Sequence, residues 1–192
     1  GGTGTGYTGL RIRGSDPTRV NVTINGIPLN DAESQGVFWV NLPDLAASAS
    51  EIQVQRGVGS STNGAGSFGA TVNLDISKVA ADPFVLLSGT AGSFGTQKQS
   101  VYMGTGLLND RFAFTGRVSR IASEGYVDRA SADLQSLHLS GAYVDDRQSL
   151  MAHLLSGREV TYQAWYGLPA QYADQPALRT YNPAGTERPG SP

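Results

Sequence analysis

Val20-Asn21-Val22-Thr23-Ile24-Asn25-Gly26-Ile27-Pro28-Leu29 sets the character of the chain. Val20, Val22 and Ile24 alternate with Asn21, Thr23 and Asn25, the period-2 signature of a half-buried strand. Asn25-Gly26 signals a type I′ turn, because both residues accept the positive φ that this turn demands. Ile27-Pro28-Leu29 then returns as a short second strand.

Working outward, Gly1 to Gly9 has neither the charged segment nor the apolar segment of a signal peptide. On the other side, Pro43 to Ala49 reads as a short helix, with Asn41 as its cap and Pro43 in its first turn. Glu51 to Arg56 alternates again and stops at Gly57; a Gly/Ser-rich loop, Val58 to Gly69, leads into a strand over Thr71 to Ile76. After about Val79 the alternating runs lengthen: Phe84–Ala91, Gln99–Leu107, Phe112–Ile121, Leu134–Val144 and Leu150–Leu155.

In these later runs one face is apolar and the other polar or small. Val101, Met103, Thr105 and Leu107 oppose Ser100, Tyr102, Gly104 and Gly106; Phe112, Phe114 and Val118 oppose Ala113, Thr115, Arg117 and Ser119. Leu137, Leu139 and Tyr143 oppose Ser136, His138, Ser140 and Ala142. A soluble β-sandwich and a membrane β-barrel both give this alternation. The connections favour the barrel. Leu108–Arg111 and Asp145–Arg147 are tight turns, whereas Ala122–Asp133 and the stretch from Gly157 onward are long loops, the arrangement of bacterial barrels. Gly92–Lys98 is short for an external loop and fits least well.

Composition agrees. Among 192 residues there are 25 glycines and no cysteine, and 16% are charged, well below the roughly 25% of an average soluble domain. No stretch approaches the roughly 20 apolar residues of a spanning helix. A net charge of −2 and the lack of a basic run argue against nucleic acid, and the missing cysteines exclude disulfides and thiolate metal sites. Tyr181 to Gly190 is loop-like, and both ends read as cut, so a piece of a longer chain is expected.

Motifs for chemistry are thin. Gly64-Ala65-Gly66-Ser67-Phe68-Gly69 matches G-x-G-x-x-G, but it runs into a strand instead of a helix, and no H-R-D, D-F-G or G-x-x-x-x-G-K-[ST] accompanies it. His138 and His153 sit in strand runs without metal-ligand spacing, so a lumen-facing or locally hydrogen-bonded role is expected. Asp145-Asp146 is a turn, and no G-x-S-x-G elbow occurs. Neither an enzyme nor a cofactor or metal is expected.

The order of the N-terminal motifs points to a family. Leu10-Arg11-Ile12-Arg13-Gly14, then Val22 to Leu29, then Leu42-Pro43 and Ile52-Gln53-Val54-Gln55-Arg56-Gly57 are followed by Ser60-Ser61, Asn63-Gly64, Phe68-Gly69 and Val72-Asn73-Leu74. This series resembles the plug domain of TonB-dependent receptors, in which an R-G, a D-G-V-P turn, an E-R-G-P strand end and a Y-G-x-x-A-x-G-G-x-I-N segment recur in that order. Asn25 stands for the usual Asp, Val58 for Pro, and Gly69-Ala70 for Gly-Gly. The expected architecture is mainly β with a small α/β plug: residues 1–79 as the C-terminal portion of a plug domain, then residues 80–192 as the first five or so antiparallel strands of an incomplete transmembrane β-barrel.

The resemblance implies TonB-dependent uptake, across the bacterial outer membrane, of a scarce ligand such as a siderophore, another metal chelate, cobalamin or an oligosaccharide. The alternatives are a β-rich surface or adhesin domain and a plugless porin-type barrel. Implied partners are outer-membrane lipid, an extracellular small ligand and the TonB complex, whose contact segment lies N-terminal to the plug and outside this sequence. Ligand contacts are expected from Arg13, from Asp31, Gln35, Phe38 and Trp39 in an apical plug loop, and from Tyr162, Trp165 and Tyr166 in an external loop. Tyr162, Trp165 and Tyr166 equally suit an aromatic girdle. Arg56, Gly57, Gly64 and Gly69 carry the plug signature, with Arg56 as the expected tether to the barrel.

Overall fold

The computed structural model describes residues 8–57, 68–162, 164 and 166–184, so Gly64 and Trp165 lie outside the described residues. Four strands form the first sheet: β1 (Val20–Ile24), β2 (Ile27–Pro28), β3 (Glu51–Arg56) and β4 (Ala70–Asp75), in the order β2-β1-β4-β3. Asn25 and Gly26 take φ of 50° and 80°, so the expected I′ hairpin forms and pairs Ile24 with Ile27. The turn is then tied to the sheet. Asn25 Oδ1 accepts from the Ile76 amide at 2.9 Å, and the Gly26 amide donates to Asn73 Oδ1 at 3.0 Å.

β1 runs parallel to β4, with Val20 opposite Ala70 and Ile24 opposite Leu74. A parallel pair needs a long crossover, and the segment from β2 through β3 supplies it. Val20, Val22, Ile24, Ala70, Val72, Leu74, Ile76 and Leu45 make the buried core, against which Trp39, Leu42 and Leu155 pack.

The crossover corrects one expectation. In place of an α-helix over 43–49 there are two 3-10 turns, Trp39–Asn41 and Leu45–Ser48. Asp44, at φ 57° and ψ 23°, lies in the left-handed region between them and stops continuous helix; Asn41 caps nothing.

The second sheet is an antiparallel meander: β5 (Pro83–Ala91), β6 (Gln97–Thr105), β7 (Phe112–Ser123), β8 (Ala132–Val144) and β9 (Ser149–Thr161). The long loops are shorter than expected, because β7, β8 and β9 extend further; the last loop starts at Tyr162, not Gly157. The Gly92–Thr96 connection shares its end of the sheet with the longer β7–β8 loop. The Glu124 amide donates to the Phe94 carbonyl at 2.9 Å, and the Phe94 and Tyr126 rings meet edge-on.

The two faces of this sheet decide between sandwich and barrel. Val85, Leu87, Met103, Phe114, Val118, Leu139 and Leu154 point outward and are exposed. Arg117, Ser119 and His138 on the opposite face are buried, and contacts described below set the small first unit against them. A water-soluble sandwich would bury the apolar face instead.

Candidate functional site

The first unit meets the wall at three levels, each set by a different kind of contact. At the centre is Asp44. Its left-handed backbone turns both its carbonyl and its carboxylate toward β6 and β7. Arg117 Nη1 and Nη2 each donate to the Asp44 carbonyl at 3.1 Å, and Nη1 donates to Ser48 Oγ at 3.2 Å. Arg117 Nη2 also bonds the Asp44 carboxylate, whose other oxygen accepts from Lys98 Nζ at 2.5 Å. The Arg117 and Asp44 side chains are 3% and 7% exposed, so this is a buried ion cluster with two cations on one anion.

Burial by itself would raise the Asp44 carboxyl. Hydrogen bonds from Lys98 and Arg117, together with the Arg117 charge, outweigh it and hold the group below the ordinary carboxylate range. Asp44 is therefore ionised at neutral pH, as its two cationic partners require.

The second level is steric. A Cβ placed on Gly157 of β9 would lie 2.7 Å from the Asn41 carbonyl oxygen and 2.7 Å from Pro43 Cδ, so only glycine lets the crossover approach this closely. The third level is uncharged contact. Asn25 Nδ2 lies 3.4 Å from His153 Nε2, and His153 Nδ1 lies 3.4 Å from His138 Nε2. Both histidines thus sit on the inner face with local partners, and among the described residues no group of three or more ligating side chains is placed to hold a metal.

These contacts also orient the unit. His153 is close to the tight Asp145–Gln148 turn, so the Asn25 end of β1 faces the short-turn side and the Val20 end faces the long loops. The apical plug loop is at the Val20 end. Asn30 Oδ1 accepts from the Val22 amide at 2.8 Å, and Asn30 Nδ2 donates to the Val20 carbonyl at 2.9 Å.

Within that loop the expected ligand residues differ in state. Asp31 Oδ1 accepts from the Ser34 and Glu33 amides at 2.7 and 3.1 Å, bonds that lower its carboxyl and close the loop on itself. Gln35 Nε2 donates to the Ala32 carbonyl at 3.1 Å. Trp39 packs on the core, while Phe38 stays 54% exposed. Arg13 is exposed on a turn, with φ of 51°.

Tyr162 and Tyr166 are 65% and 71% exposed and line a cavity of about 910 Å³ with Arg129, Pro169 and Asn182. Arg129 Nη2 holds the returning loop by donating to the Asn182 and Ala184 carbonyls at 3.0 and 3.2 Å. No plug-loop residue lines this cavity, so the two expected ligand segments remain separate among the described residues.

Arg56 is exposed at the end of edge strand β3, and the barrel carboxylates expected to tether it lie outside this sequence; among the described residues the unit and the wall are joined by the ion pairs of Arg117 and Lys98 to Asp44. Gly57, at φ 84°, donates its amide to the Gly69 carbonyl at 2.9 Å, and the Gly69 amide donates to the Arg19 carbonyl at 2.9 Å. A Cβ on Gly69 would lie 2.5 Å from Ser15 Oγ. The sequence did carry one signal for the tether. Arg117 falls mid-strand on the inner face, between Thr115 and Ser119, where a cation requires a counter-charge.

A mixed four-stranded unit clamped on the polar face of a meander whose other face is apolar defines a plugged membrane barrel wall. Residues 1–71 match the model of the TonB-dependent receptor plug domain. Solved structures share its fold. The pyoverdine outer-membrane receptor FpvA from Pseudomonas aeruginosa PAO1, bound to pyoverdine, superposes with a TM-score of 0.62 at 16% identity over 82% of this chain and 23% of that one. The ferric-catecholate import receptor Fiu from E. coli K12 gives 0.64 at 17% identity over 82% and 23%. The copper transporter OprC gives 0.65 at 16% identity over 83% and 27%. The chain thus spans about a quarter of the length of these receptors. No curated protein matches it.

Proposed function

We propose that this chain is the plug, residues 1–79, and the first wall strands, residues 80–192, of a transporter that takes up a scarce ligand across the bacterial outer membrane using the TonB complex. The carrying observation is the buried Asp44–Arg117–Lys98 cluster, which seats the plug on the inner face of a sheet whose outer face suits hydrocarbon. An ordinary sandwich has no use for that arrangement, and a plugless porin lacks the partner.

In this reading ligand binds on the long-loop side, at the apical loop around Phe38 and the aromatic loop around Tyr162 and Tyr166. The TonB complex then transmits the proton gradient as work on the plug, and passage requires the Asp44 cluster to part. The solved structures of the same fold are named for pyoverdine, ferric catecholate and copper, so metals and their chelates come first among candidate ligands.

The test is accumulation of radioiron- and radiocopper-labelled chelates by cells expressing the full-length protein. Expected is surface binding that survives a protonophore or loss of TonB, and accumulation that stops under either. Accumulation that continues under both defeats the proposal.

A further inference from the structure

The outward face of the second sheet carries a polar line that plug gating does not use. Register pairs Gln99 with Arg120, Arg120 with Gln135 and Gln135 with Arg158, so these exposed side chains run side by side across four strands. The next line toward the short turns is Val101, Val118 and Leu137, and the apolar surface continues to the mutually tilted rings of Phe112 and Tyr143, 5.1 Å apart. One step of the pleat therefore separates hydrocarbon-suited from cationic surface.

Depth explains where the change falls. An outward arginine costs about 2–4 kcal/mol at the bilayer midplane and about 0–1 near its boundary. From Phe112 to Arg120 on β7 is about 27 Å of strand, or about 20 Å of height at the usual tilt, close to the roughly 25 Å apolar band of such barrels. Arg120 and Arg158 thus sit at the headgroup level on the long-loop side.

The line is also a recess. A depression of about 630 Å³ is bounded by Gln99, Arg120, Gln135 and Arg158 above Val101 and Leu137. It opens outward: no plug residue lines it, whereas the small cavity behind the same strands at Ser136 and Gly157 is lined by Asn41, Leu42 and Pro43. Arg120 forks onto Asp133 at 3.0 and 2.6 Å. One carboxylate between two guanidiniums leaves a surplus of positive charge, and Glu159, paired across from Leu134, faces inward and does not cancel it. Arg120 and Arg158 are two strands apart, about 10 Å, with the Gln135 amide between them. Guanidinium forks suit phosphate oxygens.

Resting on the membrane-barrel reading, we propose that this line docks the headgroup of a phosphate-bearing lipid of the outer leaflet, with its acyl chains lying over Val101, Val118 and Leu137. Native mass spectrometry of the full-length protein in dodecyl maltoside, titrated with dimyristoyl phosphatidic acid, tests it, with dimyristoylglycerol as the phosphate-free control. Expected is at least a tenfold preference for phosphatidic acid and at least a tenfold loss in Arg120→Gln/Arg158→Gln. Retention within twofold by that double variant overturns the site, and displacement of the lipid by equimolar inorganic phosphate overturns the choice of a lipid. Insertion into liposomes, scored by protease protection, separates the two proposals: insertion without lipid preference removes only the docking site, whereas failure to insert removes the barrel reading too.

Discussion

Removing the Asp44 carboxylate strips two cations of the counter-charge they share among the described residues. Lys98, 31% exposed at its side chain, can turn to water, but Arg117 cannot. Breaking a buried pair by deleting one partner costs about 3–5 kcal/mol. Arg117 keeps the Asp44 main-chain carbonyl and Ser48 Oγ, so Asp44→Ala falls at the lower end, about 3 kcal/mol, or about a hundredfold in the opening equilibrium. The reverse change, Arg117→Ala, leaves Asp44 paired with Lys98 and loses charge-assisted hydrogen bonds worth about 1.5–3 kcal/mol, so it is milder. Hydrogen exchange of peptides covering residues 39–48 in the full-length protein reads both variants. Exchange raised less than threefold by Asp44→Ala, or raised more by Arg117→Ala, refutes the reasoning. pH gives a second reading. A carboxyl held below its ordinary 3.8 favours docking fully above that value, and the contribution is lost as pH falls through the lowered one. Trp39 emission is thus expected to stay flat from pH 8 to 5 and to change only in stronger acid.

Gly157→Val drives a branched side chain into Asn41 and Pro43; overpacking of about 1–3 kcal/mol is expected to raise exchange in the same peptides while β8 and β9 stay protected. Gly26→Val puts a β-branched residue at φ 80°, and a loss of about 1–2 kcal/mol, read as a lower denaturant midpoint of the plug, is expected. Phe38→Ala and Trp39→Ala separate binding from packing. The exposed Phe38 is expected to change ligand affinity at unaltered stability, whereas Trp39, packed on the core, lowers stability by about 2 kcal/mol; isothermal titration and denaturation distinguish them. Tyr162→Ala/Tyr166→Ala is expected, on the proposed function, to weaken chelate binding at least tenfold, and unchanged affinity removes that loop from the site.

Much of this fold is legible because alternation is a local signal. Val20 to Leu29 gives the hairpin and its turn type, and Glu51–Arg56 matches β3 end to end. β9 runs past its expected end at Leu155 because Ser156, Gly157, Arg158 and Glu159 are polar or small on both faces; only pairing with β8 keeps them extended. The helix over 43–49 fails for a tertiary reason. Asp44 adopts a left-handed backbone that helix propensity disfavours, and partners from β6 and β7 hold it there. Those partners also explain why the Asp44–Arg117 contact is hidden from a reading of the sequence. Asp44 and Arg117 are 73 residues apart, and no periodicity links a crossover aspartate to a wall arginine.

The magnitudes bear on how a pull would free the plug from these strands. Stripping β1 from its sheet exposes Val20, Val22 and Ile24, at about 1.5–3 kcal/mol each, and breaks the ladder to β4. Parting the Asp44 cluster returns its charges to water, whose hydration offsets much of the lost attraction, and leaves that sheet whole. Against this part of the wall, then, undocking precedes unravelling, because the charged contact sits in the crossover outside the hydrogen-bonded core. Arg117 also explains why undocking can reverse. The wall keeps a cation with Ser119 beside it and no other carboxylate among its described partners, so Asp44 remains its counter-charge when the site closes again. In the proposed function the gate is thus a weak contact on a strong body, the order of stabilities that lets a plug move repeatedly and stay folded.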